Sequence, residues 1–280
     1  MIVHIPGHSG AGVRVVREQF QNSSGQIRGK CSIFSTMMKK QTDTEPMRIL
    51  IIAAHPDDIE FGTAGSVARW IDEGAHVTYC VVTDGSAGSN EPGVDLTALV
   101  LQRREEQLAA AAAVGVQDVR FMGYADGVLQ PTLELRRDLT RLIREIRPYR
   151  VVCQDPTTVL VGDGYINHPD HRAAGEAAIY AVFPSAETRP TFPELLAEGY
   201  EPHHVSEVYL NLTLHPTLKI DISNTMERKI SALLCHKSQV SPDSADWIRQ
   251  RNAETGAEEG YAFAEAFRVM RFVREAEAED

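Results

Sequence analysis

Arg48-Ile49-Leu50-Ile51-Ile52-Ala53-Ala54-His55-Pro56-Asp57-Asp58-Ile59-Glu60 is the stretch whose reading decides the fold. Its first half is a short apolar run of the kind a parallel sheet buries on both faces. Its second half sets an imidazole and two carboxylates at the carboxyl end of that strand, where open α/β sheets bind ligands. Pro56 helps fix the turn, so a His55 ring nitrogen and an Asp58 oxygen can converge on one point while Asp57 faces another way. The plainer reading is that Asp57 and Asp58 only cap the next helix, because carboxylates are favoured at helix N-termini.

Working outward, Ala64 to Glu73 has helical spacing and stops at Gly74, and His76 to Val82 is a second β-branched strand, which completes a βαβ unit. A Gly/Ser/Asn loop from Asp84 to Asp95 leads to a helix from Thr97 to Val114, a strand at Val119 to Met122 and a helix from Leu133 to Ile146. Val151 to Cys153 reads as the fourth strand, followed by a polar loop and a helix from Asp170 to Phe183. Beyond Pro184 the pattern weakens to strands near Val205 to Leu214 and Leu218 to Ile222, a helix from Asn224 to His236 and a polar tail region. The alternation predicts an α/β fold, a Rossmann-like open, mainly parallel sheet with helices on both faces.

Three segments are expected: a poorly ordered extension over 1–46, one domain over 47–272 and an acidic tail over 273–280. The extension is acid-poor with scattered Arg and Ser, which suits an organelle-targeting segment, while Met37, Met38 and Met47 suit an over-long start. Of the 280 residues 43% are apolar, enough for a sizeable core. The 28 Lys+Arg against 39 Asp+Glu leave a formal charge of −11, much of it between Glu254 and Asp280, which argues against nucleic acid as a partner. No run reaches the ~18 apolar residues of a membrane span. Cys31, Cys80, Cys153 and Cys235 form no C-x-x-C pair, so a reduced, cytoplasmic setting is expected.

Asn167-His168-Pro169-Asp170-His171 is the second chemical feature, again at a strand-to-helix junction, with two histidines three apart at a helix start. A helix N-terminus disfavours the imidazolium, which keeps these rings in the neutral form a metal needs. Two His, one carboxylate and an open position form a usual catalytic zinc set, so His55, Asp58 and His171 are the expected ligands. Asp57 then stands beside the metal as base and His168 as acid or oxyanion stabiliser, with Asp170 orienting an imidazole from behind. Zn2+ is the expected cofactor, with Fe2+ and other divalent ions also suited to this donor set.

On these residues the chain resembles the PIG-L, or LmbE-like, zinc-dependent de-N-acetylases, over about Arg48 to Gln239. The family's Ala-His-Pro-Asp-Asp motif matches Ala54 to Asp58, its Thr-Asp-Gly loop Thr83 to Gly85, and its His-Pro-Asp-His motif His168 to His171. The resemblance implies zinc on His55, Asp58 and His171, Asp57 as base and His168 assisting the transition state. It also implies a substrate-contacting arginine at Arg103, although Arg103 and Arg104 also suit a solvated ion-paired helix face. Some members carry a Tyr just before the second motif, near Tyr165, and the stretch ending His236-Lys237-Ser238-Gln239 resembles the family's C-terminal helix end, where His236 reads as a dipole partner rather than a catalyst.

The implied reaction removes acetyl from an N-acetylglucosamine conjugate linked to inositol, malate or a related group, a small-molecule amino-sugar substrate. Competing readings are an amidase on a related thiol conjugate, a non-haem iron oxygenase, a Mg-dependent phosphohydrolase using Asp57, Asp58 and Asp84, and a non-catalytic sugar-binding protein. The loops Ser86 to Asp95 and Thr157 to Asn167 and the segment 184–204 are expected to shape the pocket, and a homo-oligomer is allowed.

Overall fold

In the computed structural model, which describes residues 45–272, the apolar run is strand β1 (Arg48–Ala53), and its side chains split between two cores. Ile49 and Ile51 enter one apolar cluster while Leu50, Ile52 and Ala54 enter the other, as period-two alternation demands of a strand with no polar face.

The elements that follow are α1 (Asp58–Gly62), α2 (Ala64–Asp72), β2 (His76–Thr83), α3 (Leu96–Val114), β3 (Asp118–Tyr124), α4 (Leu133–Ile146) and β4 (Arg150–Gln154). A small hairpin of β5 (Leu160–Val161) and β6 (Tyr165–Ile166) precedes α5 (Pro169–Tyr180), a wide helical turn over Ala181–Ala186 and α6 (Pro193–Ala197). The chain closes with β7 (Glu207–Asn211), β8 (Leu218–Asp221), α7 (Met226–Leu233), α8 (Ser244–Ala257) and β9 (Ala264–Arg271).

The main sheet runs β3-β2-β1-β4-β7-β9-β8, parallel from β3 to β7, with β9 antiparallel to both its neighbours. Helices α2, α3, α7 and α8 cover one face and α4 and α5 the other. The winding reverses between β1 and β4, so the crevice for a ligand opens beyond their carboxyl ends. Gly175 lets α5 lie close against β4: a Cβ there would stand 2.1 Å from the Gln154 carbonyl oxygen. No helix among the described residues is long and apolar enough to cross a membrane.

Several expectations are corrected. The polar tail region contains α8 and β9, and β9 is an interior strand. Helix α8 buries only Ala245, Ile248, Asn252 and Gly256, so its apolar stripe is too thin to register as helical periodicity. In β9, Glu265 occupies a core position: it accepts from Lys229 Nζ at 2.5 Å and from the N–H groups of Gly65 (3.1 Å) and Ser66 (2.7 Å). The helix expected to reach Phe183 stops at Tyr180, since Pro184 disfavours helical geometry at the residue before it and Phe183 is extended. The tail 273–280 and the extension up to residue 44 lie outside the described residues.

Candidate active site

Local chemistry at the end of β1 places the first group. Asp57 has φ 93°, a left-handed conformation that costs a non-glycine residue of order 1–3 kcal/mol. Two side chains of α3, one turn apart, grip the peptide that leads into it. Arg103 Nη2 donates to the Pro56 carbonyl at 2.9 Å, and Gln107 Oε1 accepts from the Asp57 N–H at 3.0 Å. The Gln107 amide cannot usefully flip, because its Nε2 faces the acceptor-only carboxylate of buried Glu60 at 3.1 and 3.2 Å. Glu60 is closed from behind by His236 Nε2, which donates at 2.9 Å. Neither Asp57 nor its neighbour caps the next helix through its side chain, so the capping reading falls.

Asp58 stands between two imidazoles. Its Oδ1 lies 2.9 Å from His171 Nε2, and its Oδ2 lies 3.4 Å from His55 Nδ1 while accepting from the His55 N–H at 2.8 Å. His171 Nδ1 donates to Asn167 Oδ1 at 2.9 Å, and the Asn167 amide is itself oriented by its 2.8 Å bond to the Thr158 carbonyl. That bond keeps a proton on Nδ1 and makes Nε2 the nitrogen that faces Asp58. His168 caps α5, its Nδ1 accepting from the Asp170 N–H at 3.2 Å, so a neutral ring carries its proton on Nε2.

Sequence reading missed Asp126, which follows β3 and faces His55 Nε2 at 3.0 Å, with Asp170 Oδ2 at 3.4 Å from the same nitrogen. Neither approach makes a hydrogen bond, and buried Nε2 has no hydrogen-bond partner. Asp170 itself holds the loop after β3, accepting from the N–H groups of Gly127 (2.7 Å) and Leu129 (3.1 Å), and its Oδ1 is 3.9 Å from His168 Nδ1. The signal for Asp126 was available: it occupies the same carboxyl-end position as His55, two strands along the sheet.

Burial opposes charge on His55, but Asp126 and Asp58 outweigh it and push the imidazolium up to about 10. Burial would also neutralise Asp58, yet His171 and His55 hold it well below the carboxylate range. Asp57 moves the other way, pushed up to about 7 by burial and by the charge of Asp58 against the pull of Arg103. Three carboxylates gathered around one imidazole form a pocket suited to a cation, and the mixed N/O donors suit a divalent metal. Donor atoms of His55, His168 and His171 lie within 4.8 Å of one another, as do those of His55, Asp126 and Asp170.

Arg103 points inward and Arg104 outward. Arg103 is 4% exposed and also donates to the Gly85 carbonyl (2.8 Å) and to Asp57 Oδ2 (3.3 Å), whereas Arg104 lies over Phe121. Gly85 in the Thr-Asp-Gly loop has φ 70°, and a Cβ there would crowd the guanidinium at 3.0 Å. These groups floor a cavity of about 1090 Å³ whose walls include Ala87, Gly88, Val161 and Tyr165 from the two expected loops. Segment 184–204 does not line it, contrary to expectation. Arg144 of α4 holds that segment to the far face through the carbonyls of Ser185, Ala186, Thr188 and Thr191. Part of the outer wall comes instead from α8, through Trp247, Arg251 and Thr255.

This arrangement has relatives. A diacetylchitobiose deacetylase of Thermococcus kodakarensis is 34% identical over 229 residues, 80% of this chain and 83% of that protein. The profile of the PIG-L family, described as GlcNAc-PI de-N-acetylase, matches residues 50–182. The chain belongs to the PIG-L, or LmbE-like, family. A probable N-acetyl-alpha-D-glucosaminyl L-malate deacetylase of Bacillus anthracis is 30% identical over 72% of this chain and 85% of that protein. The solved structure of N,N'-diacetylchitobiose deacetylase from Pyrococcus horikoshii superposes with a TM-score of 0.75 and 31% identity, covering 81% of this chain and 85% of that one. The family profile spans β1 to the end of α5 and so contains every group of the cavity floor, while α8 and β9 lie beyond it.

Proposed function

We propose that the protein hydrolyses the acetamido group of an N-acetylglucosamine conjugate, releasing acetate and the free amino sugar. The observation that carries this reading is the pairing within one cavity of a cation-seeking His/Asp cluster with Asp57, a carboxylate outside that cluster's contacts whose proton affinity is raised to about 7. Relatives that act on diacetylchitobiose and on GlcNAc-malate support the substrate class.

In this reading His55, Asp58 and His171 hold Zn2+, with Asp126 and Asp170 facing the far nitrogen of His55 and Asn167 setting the orientation of the His171 ring. When bound, the ion lowers the pKa of water toward neutrality and polarises the acetyl carbonyl. Asp57 takes a proton from the attacking water, and the burial that raises its proton affinity strengthens it as a base. His168 Nε2–H donates to the oxyanion that develops on the acetyl carbonyl oxygen. The proton taken up by Asp57 then passes to the departing nitrogen as the C–N bond breaks, so water divides between acetate and amine. Arg103 screens Asp57 and contributes positive potential to the acetyl end of the cavity. A reduced, cytoplasmic setting accords with the free thiols of Cys80, Cys153 and Cys235.

The test is acetate and amine release from a panel of N-acetylglucosamine conjugates by zinc-loaded protein, with Asp57→Asn as control. Release lost in that variant, with metal still bound, is the expected result. Silence on every conjugate with zinc bound and the fold intact would remove the deacetylase reading.

A further inference from the structure

The cations lining the cavity differ in one respect. Arg103 is committed to Gly85, Pro56 and Asp57, and Lys219 Nζ donates to Glu258 at 2.7 Å. Arg251, half-buried on α8, makes neither an ion pair nor a side-chain hydrogen bond among the described residues. The acids around it are already engaged: Glu265 by Lys229 and two backbone N–H groups, Glu254 by Gln250 at 2.9 Å, and Glu258 by Lys219. Burial pulls Arg251 below the usual guanidinium range, and Glu265 offsets this only in part.

Its position is nevertheless defined. The guanidinium carbon lies 5.5 Å from the centre of the Trp247 indole, one turn earlier on α8, and that ring meets Phe61 edge-on at 6.5 Å. Trp247 is 54% exposed, an unusual state for so large an apolar ring. Trp247, Arg251 and Phe61 line the same cavity as His55 and His171, and its volume exceeds what one sugar-sized ligand needs. In a chain of net charge −11 an anion is not drawn in by the overall field, so its recognition requires a local cation with free donors. A half-buried guanidinium whose planar fork has no acceptor is suited to bind a carboxylate or phosphate bidentately.

We propose that Arg251, laid over Trp247, recognises an anionic group, carboxylate or phosphate, on the part of the substrate beyond the N-acetylglucosamine ring. The inference rests on the deacetylase reading and narrows it: acidic conjugates are preferred to neutral ones.

The experiment compares wild type, Arg251→Met and Arg251→Lys on GlcNAc-malate, GlcNAc 1-phosphate and neutral diacetylchitobiose. One readout is kcat and KM from acetate release, and the other is calorimetric binding to metal-loaded Asp57→Asn protein with and without the Arg251 substitutions. Wild type is expected to favour at least one acidic conjugate. Arg251→Met should raise KM and Kd for that conjugate by about ten- to a hundredfold, the worth of a charged hydrogen-bonded pair. It should leave diacetylchitobiose within about twofold, and Arg251→Lys should restore part of the loss because charge returns without the fork. The acidic conjugate showing the larger loss distinguishes carboxylate from phosphate. Equal effects on acidic and neutral conjugates, no effect on either, or no binding of either acidic conjugate would overturn the proposal. If no conjugate releases acetate, the deacetylase reading fails, and the calorimetry still decides Arg251 by whether acidic conjugates lose affinity in Arg251→Met.

Discussion

The cavity floor comes from residues within a few positions of strand ends, His55, Asp57 and Asp58 after β1, Asp126 after β3, and His168 and His171 just beyond the β5–β6 hairpin. Part of the outer wall comes from one face of a single helix, with Trp247, Arg251 and Thr255 spaced four apart on α8. Floor groups are interlocked: His55, Asp58 and His171 touch one another, and Gln107, Arg103, Asn167 and Asp170 fix the surrounding backbone and rings. Two of the wall groups differ: Trp247 is exposed, and the Arg251 guanidinium has no hydrogen-bond partner among the described residues. The contrast teaches that reaction chemistry is built into the sheet's connections, where geometry is rigid, while selectivity is assigned to an element whose inward face can change without disturbing the metal-seeking cluster.

The comparison breaks most visibly at the ligand cluster. His171→Ala should abolish bound zinc and turnover together, measured by metal analysis and acetate release, and full zinc occupancy in that variant would exclude His171 as a ligand. Chelation of wild-type protein should do the same reversibly, with activity returning on zinc addition. Asp57→Asn should lower kcat by about 10² to 10⁴ with zinc near stoichiometric, separating the base from the ligands.

Glu265→Ala tests whether the C-terminal strand is integral to the floor domain. It leaves Lys229 buried without its partner and should cost about 3–5 kcal/mol in urea unfolding. A loss below about 1 kcal/mol, the range of surface pairs, would mean that β9 only decorates the sheet.

A subtler break is Gln107→Leu, which keeps bulk but leaves the Asp57 N–H without an acceptor. The unsatisfied donor is worth about 1–3 kcal/mol, so kcat should fall roughly five- to a hundredfold at constant metal content. Loss of zinc instead would show that the clamp supports the whole cluster rather than Asp57. The smallest effect is expected at the wall: Trp247→Ala should raise KM for extended conjugates by about two- to tenfold, the worth of an aromatic contact, with kcat retained. An equal effect on free N-acetylglucosamine would place the ring beside the sugar instead of beyond it.

Much of the fold was legible because β1, β2 and β4 each carry an apolar run and their connections alternate with helices of clear spacing. The ends were less so: α5 was drawn past Tyr180 and the C-terminal pair α8 and β9 was missed, since Glu265 and Arg268 interrupt the pattern of an interior strand. The buried Lys229–Glu265 pair satisfies the polar group that pattern reading takes as a sign of solvent.

What the sequence determined by itself was the parallel core and the identity of the chemical groups, because both reside in short segments where neighbours in the chain are neighbours in space. The tertiary structure decided which face those groups meet and what surrounds them. Asp126 reaches His55 only through β3 being brought to the same end of the sheet, Gln107 reaches Asp57 across fifty residues, and Arg251 enters the cavity only because β9 inserts between β7 and β8 and carries α8 over the site. Contacts between segments so distant in the chain depend on the packing of whole elements, which no local pattern encodes.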